Sequence, residues 1–232
     1  MLNNRVTELT LTFVATGRDC PGESKLENMT RIKVCGITNV EDARLAADAG
    51  ADAIGLIFAE SRRQVDAVQA RKIVAVLPDE VLRVGVFVNE EPERIRQLAD
   101  EVGLDYVQLH GDESPQTVTD LRARSLKVIK ALRVRDSASL EALEDYEPEL
   151  FLLDAYSEKA RGGTGERFDW ELAKALKEYA NILVSGGLAP ENVRAAVEFF
   201  EPYGVDASSS LEDAPGKKND ERVRRFVNAA KS

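Results

Sequence analysis

The stretch RIKVCGIT, Arg31 to Thr38, places a cysteine where a short β-branched apolar run breaks at a glycine, just before a helix begins. Working outward from it, seven runs of the same kind follow: AIGLIF (53–58), RVGVFV (83–88), DYVQLH (105–110), KVIKAL (127–132), LFLLDA (150–155), NILVSG (181–186) and GVDASS (204–209). Between them lie segments with helical periodicity. In DWELAKALKEYA, Leu172, Leu176 and Tyr179 share a face and Asp169 can cap the start; in ENVRAAVEFFEPYG, Val193, Val197 and Phe200 share one. Eight strand–helix units in about 200 residues are the arithmetic of a (β/α)8 TIM barrel, a single α/β domain with all strands parallel. The competing doubly wound open sheet lacks its GxGxxG fingerprint. A barrel places chemistry on the loops at the C-terminal ends of its strands, and Cys35 lies near the end of the first.

Length and composition agree with one domain. The 232 residues are 44% hydrophobic and 31% charged, and no apolar run approaches the roughly 20 residues that span a bilayer. A net charge of −10 with no basic stripe argues against a nucleic-acid partner. An anionic substrate must then be gripped by a specific arginine or by backbone N–H groups at helix N-termini. Cys20 and Cys35 form neither a CxxC pair nor a disulfide framework, which suits a reducing, cytoplasmic setting. His110 is the one histidine, so a His-rich metal site is excluded and no metal is expected. Residues 1–28 read as a disordered extension with Met29 opening the functional chain, and residues 29–232 as the barrel.

Strand ends supply the candidate chemical groups. Asp154 leaves an apolar strand for a loop, Tyr156 to Phe168, that carries Gly162, Gly163 and Gly165 and is long enough to act as a lid. Partial desolvation at the barrel wall raises a carboxyl toward the range of a general acid. A free cysteine is by itself more often a small buried hydrophobe, but strands one and six lie nearly opposite, so Cys35 and Asp154 can address one small substrate from two sides. Gly186 and Gly187, in VSGGLAPENV, and Ser208 and Ser209, in VDASSS, follow strands seven and eight, where barrels often bind phosphate. Arg62 and Arg63 follow strand two, where a guanidinium can grip a carboxylate through two hydrogen bonds. His110 sits on the rim after strand four, as a structural residue or a substrate contact.

Taken together, KVCGIT, GVFVN, VQLHGDE, LLDAY with GGTG and FDW, SGGLAPENV and VDASS followed by PG resemble the phosphoribosylanthranilate isomerase family, over essentially all of 29–232. The resemblance implies an Amadori rearrangement in tryptophan biosynthesis, converting N-(5′-phosphoribosyl)anthranilate to 1-(2-carboxyphenylamino)-1-deoxyribulose 5-phosphate without a cofactor. It further implies Asp154 as general acid, Cys35 as general base and Arg63 as the anthranilate-binding residue. For Cys35 to work as a base, local dipoles or Arg63 are expected to lower its pKa. Two departures stand out: the family's Ser-Pro-Arg-Tyr is here Ser61-Arg62-Arg63-Gln64, and Ser210 replaces a glycine, at a steric cost if its φ is positive. Two other readings stay open, a different phosphosugar barrel enzyme, with Lys33 and Lys130 as its strand lysines, and a noncatalytic phosphate-binding barrel. Oligomeric state stays between monomer and homodimer.

Overall fold

The structure, a computed structural model, describes residues 30–133, 145–154 and 181–232. The 1–28 extension, the 156–168 loop and the DWELAKALKEYA helix lie outside the described residues.

Eight parallel strands close into a barrel in sequence order: β1 (Arg31–Cys35), β2 (Ala53–Ile57), β3 (Leu82–Phe87), β4 (Tyr106–Leu109), β5 (Val128–Arg133), β6 (Leu150–Asp154), β7 (Ile182–Ser185) and β8 (Gly204–Ala207). Among the described residues the helices are α1 (Val40–Asp48), α2 (Ala67–Val74), α3 (Pro92–Val102), α4 (Pro115–Ala123), α5 (Val193–Phe200) and α6 (Asp220–Lys231). Side-chain caps start several of them where the rim loops end: Asn39 accepts from the Asp42 N–H at 2.8 Å and Asn219 from the Arg222 N–H at 2.9 Å. On α5, Val193 is fully buried, with Val197 and Phe200 partly buried against the same cluster.

Strand alternation decides which side chains reach the lumen. Ile32, Val34, Ile54, Leu56, Leu153, Ile182, Val184, Val205 and Ala207 pack outward in the layer shared with the helices. Ala53, Val84, Ile129, Ala131, Leu150, Leu152 and Leu183 fill the barrel itself. Continuing each inward series by two residues brings Cys35, Asp154 and Ser185 to the lumen at the C-terminal rim. The same count places Lys33, Gln108 and Asp206 one layer below and turns Lys130 outward. There Lys130 is buried against Glu113 at 2.7 Å and donates to the Gly111 carbonyl at 2.7 Å. It is therefore a loop anchor, not the lumenal lysine that a synthase reading needs. Glu113 also accepts from the Asn89 and Gly111 N–H groups, so this pair fixes the turn that follows His110. Burial pushes the Glu113 carboxyl up, but the Lys130 bond and the Asn89 N–H outweigh it and hold the group below its ordinary value.

After β8 the chain forms a 3-10 turn (Ser209–Leu211) and a short antiparallel hairpin, β9 (Glu212–Ala214) and β10 (Lys217–Lys218), before α6. The hairpin folds back over the end of β1, where Thr38 Oγ1 donates to the Gly216 carbonyl at 2.6 Å.

Candidate active site

The end of β1 is the centre of the site. Cys35 is 6% exposed and lies opposite Gly55 in the β1–β2 register. Gly55 is what seats the sulfur: a Cβ there would stand 2.6 Å from Sγ. Gly36 turns the chain off the strand at φ +76°, and a Cβ on it would stand 2.6 Å from Arg63 Cδ and 2.8 Å from Ser208 Oγ. The β1 rim, the arginine after β2 and the serine after β8 thus meet around one glycine.

Arg63 is not free. Its Nε donates to both carboxylate oxygens of Glu212, at 2.8 and 3.0 Å, and its Nη2 to one of them at 2.6 Å. That pairing occupies one edge of the guanidinium and leaves the Nη1 edge for another carboxylate. Arg62 is exposed. Without the proline, the loop is held by Ser61 Oγ, which accepts from the Arg63 N–H at 3.1 Å, and by Gln64, whose amide donates to the Phe58 carbonyl at 2.9 Å.

Glu212 in turn accepts from Lys218 Nζ at 2.8 Å, and the same ammonium donates to the Cys35 carbonyl at 2.7 Å and the Ser208 carbonyl at 3.2 Å. Burial raises the Glu212 carboxyl, but the hydrogen bonds from Arg63 and Lys218 prevail and hold it below the usual range. Below the thiol, Lys33 pairs with Asp206 at 2.8 Å, the two residues being direct neighbours in the β1–β8 register. Asp206 also accepts from Ser185 Oγ at 3.1 Å.

This arrangement corrects the expectation about Cys35. Burial pushes its thiol up, and the cations that oppose this are Lys33 first and then Lys218, with Arg63 committed to Glu212.

Across the rim, Asp154 lies between Arg133 and Ser185 in the strand register, and the His110 Nε2 is 3.5 Å from its carboxylate. The Gln108 amide lies 2.8 Å from His110 Nδ1, and Nε2 is the ring nitrogen that faces Asp154. Strands six and one are three positions apart around the ring, so the acid and the thiol reach the same opening along β6, β7, β8 and β1.

The loops after β7 and β8 adjoin. Gly186 and Gly187 adopt φ of 92° and 68°. Ser208 Oγ is buried with no partner among the described residues, and Ser209 is exposed. Ser210 does not carry a positive φ, so the anticipated steric cost does not arise; its hydroxyl instead donates to the Leu188 carbonyl and ties the two loops together.

A family model described as N-(5′-phosphoribosyl)anthranilate (PRA) isomerase matches residues 32–229. The chain belongs to that family. With this membership comes its enzyme class, an isomerase. A phosphoribosylanthranilate isomerase from Rubrobacter xylanophilus is 64% identical over 206 residues, covering 88% of this chain and all of the relative. The crystal structure of the Thermotoga maritima phosphoribosylanthranilate isomerase superposes with a TM-score of 0.81 at 42% identity, covering 88% of this chain and 99% of that one. A family structure in complex with reduced 1-(o-carboxyphenylamino)-1-deoxyribulose 5-phosphate superposes at 0.79 with 41% identity, covering 88% and 99% of the two chains. Another structure describes the family's Thermotoga maritima protein as dimeric.

The residues that sequence reasoning passed over, Gln108, Asp206, Glu212 and Lys218, are the partners of those it named. Lys33 was weighed there only as a synthase lysine. A period-two count back from Cys35 reaches Lys33, and the Pro-Gly turn at 215–216 marks the hairpin; neither signal names the partner.

Proposed function

We propose that the barrel isomerises N-(5′-phosphoribosyl)anthranilate in tryptophan biosynthesis by a cofactor-free Amadori rearrangement, with Asp154 as general acid and Cys35 as general base. Asp154 protonates the ribose ring oxygen, and the ring opens to a protonated Schiff base. That cationic imine acidifies the C2′ hydrogen, which Cys35 removes as thiolate; the resulting enolamine tautomerises to the ketone of 1-(2-carboxyphenylamino)-1-deoxyribulose 5-phosphate. The proton that Asp154 gives to the ring oxygen is matched by the one that Cys35 takes from C2′, and tautomerisation only moves a hydrogen from the C2′ hydroxyl to C1′, so no net proton is consumed. Each positioned proton transfer contributes about 10²–10⁴-fold.

The observation that carries the reading is one rim that brings together a lumenal thiol, a carboxylate from β6 and paired glycine and serine loops. Arg63, aimed by Glu212, receives the anthranilate carboxylate on its unoccupied edge. Gly186, Gly187, Ser208 and Ser209 receive the phosphate, the unpartnered Ser208 hydroxyl as a donor. His110, facing Asp154, contacts the sugar. Among the described residues no helix is long and apolar enough to cross a membrane, and no cluster of His, Cys, Asp and Glu is arranged to hold a metal. We place the enzyme in the cytoplasm, as a monomer or homodimer, on the strength of its unpaired Cys35 and the dimeric relative.

The test is the fluorescence decay of phosphoribosylanthranilate generated in situ. Accelerated decay with the protein, lost in Cys35→Ser and Asp154→Asn, is expected. Binding without decay would instead make the barrel a noncatalytic phosphate binder.

A further inference from the structure

Gln108 is the buried polar side chain of the lumen that packing alone does not explain. It is 1% exposed on the inward face of β4, and one end of its amide lies 2.8 Å from His110 Nδ1. The other end is buried with no partner among the described residues. Lys33 and Asp206, the charged side chains of the same layer, are paired with each other. A glutamine kept for structure has both ends bonded, because an orphaned buried polar group is costly. Here the one bond that offsets the burial goes to the ring. The histidine backbone is already fixed: its N–H donates to the Phe87 carbonyl at 2.8 Å, and Glu113 holds the turn after it through the Gly111 N–H. What remains open is the rotation of the ring and which nitrogen carries its proton. Gln108 meets one nitrogen, and the other, Nε2, is 3.5 Å from Asp154 Oδ2.

We propose that Gln108 is a positioning residue for the general acid: it donates to His110 Nδ1, keeps the ring proton on Nε2, and so directs that N–H at Asp154. With its far end unbonded, the amide takes its orientation from Nδ1 alone. The direction of that bond follows from what stands across the ring. With the amide N–H on Nδ1, Nε2 presents a proton to the carboxylate; with the amide carbonyl there, a lone pair would face it and repel. The 3.5 Å separation is long for such a bond and closes in the reacting complex, as catalytic hydrogen bonds commonly do. While Asp154 holds its proton, Oδ2 accepts from Nε2 as a neutral carbonyl. Once the proton passes to the ribose ring oxygen, the same bond meets a carboxylate and strengthens. The gain is largest where the O–H bond is breaking, so it speeds ring opening without tightening substrate binding. No proton travels through Gln108 or His110; the one that Asp154 loses goes to the substrate. Gln108 lies below the rim and need not touch the sugar. The inference rests on the reading of Asp154 as the acid, and it adds what aims its neighbour.

The chain's single histidine makes the test direct. The experiment is long-range proton–nitrogen NMR of the His110 ring in the unliganded, untagged full chain, isotope-labelled at histidine, in alkaline buffer where carboxylates are ionised. The parent is expected to show the Nε2–H tautomer alone, and Gln108→Met a mixture of the two. In the fluorescence-decay assay Gln108→Met should lower kcat about tenfold with KM within about twofold of the parent. In a His110→Asn background the same substitution should cost less than about twofold, because the glutamine acts through the ring. An Nδ1–H tautomer in the parent, an unmixed Nε2–H tautomer in Gln108→Met, or an equal loss of kcat in both backgrounds would overturn the proposal. Should Gln108→Met fail to fold, Gln108→Leu takes its place in each measurement, and the parent tautomer remains a test by itself. Failure of the acid reading is separable: an Asp154→Asn enzyme with parental turnover would remove Asp154 from the reaction, whichever tautomer His110 shows.

Discussion

Replacing Gly55 by alanine tests the seat of the sulfur directly. The added Cβ would stand 2.6 Å from Cys35 Sγ, 3.1 Å from Cys35 Cα and 3.2 Å from its Cβ, where ordinary contact begins at 3.4 Å. The sulfur must retreat by about 0.8 Å, and because the second neighbour is backbone, β1 and β2 must also part slightly. Overpacking of this kind costs about 1–3 kcal/mol, which lowers Tm by about 2–4 °C per kcal/mol in a domain of this size. A displacement approaching 1 Å in a proton-transfer group costs about 10²-fold in kcat. Gly85→Ala is the control. Its Cβ would meet Leu104 Cδ1 at 2.4 Å on the outward side of β3, so Tm should fall with kcat nearly unchanged. The assay is the substrate-fluorescence decay beside a thermal melt. A Gly55→Ala enzyme with parental kcat would refute the claim that this glycine places the thiol.

Four further outcomes follow from the geometry. Asp154→Asn should abolish turnover while leaving substrate affinity largely intact, measured by equilibrium binding of the product; near-parental kcat would remove Asp154 from the mechanism. Arg63→Lys cannot satisfy Glu212 and a second carboxylate together, so KM should rise by about 10–100-fold with kcat little altered, in steady-state kinetics. Glu212→Gln keeps the shape but loses the charge that aims Arg63, and should raise KM in the same direction; an unchanged KM would show that Arg63 needs no such support. Glu113 and Glu212 both titrate below their ordinary value in the folded chain, so their stabilisation is complete above the unfolded pKa and is lost as pH falls through the folded one. Acid unfolding should therefore shift to lower pH sensitivity in Glu113→Gln, although that variant is less stable at neutral pH.

The eight apolar runs from RIKVC to GVDA coincide with the eight strands, because a barrel strand is apolar on its outer face and mostly apolar within, and glycine or a polar residue marks where each ends. Cys35 and Asp154 were legible for the same reason: each is a reactive group at the break of such a run. Their surroundings were not. Lys33 and Asp206 are 173 positions apart in sequence, and only ring closure makes them neighbours. Strands of three and two residues, like those carrying Glu212 and Lys218, are too short to show a period, so the hairpin hid behind its Pro-Gly turn. The direction of the Cys35 shift was misread because burial is a property of the packed site, and the arginine expected to act on the thiol turned out to be engaged elsewhere. Ser210 looked strained only while its φ was unknown.

The ammonium of Lys218 holds the carbonyls that end the first strand and follow the last, so it clasps the seam where the ring of strands meets itself. Below the rim the backbone ladder and the Lys33–Asp206 pair close the cylinder, and at the rim a side chain contributed after residue 212 bridges the two strand ends. A half-barrel transplant or a chimera that joins at the end of β8 would inherit every strand and still lack this clasp. Swapped pieces of such barrels should carry the hairpin along with the final strand if the recombined rim is to hold its shape.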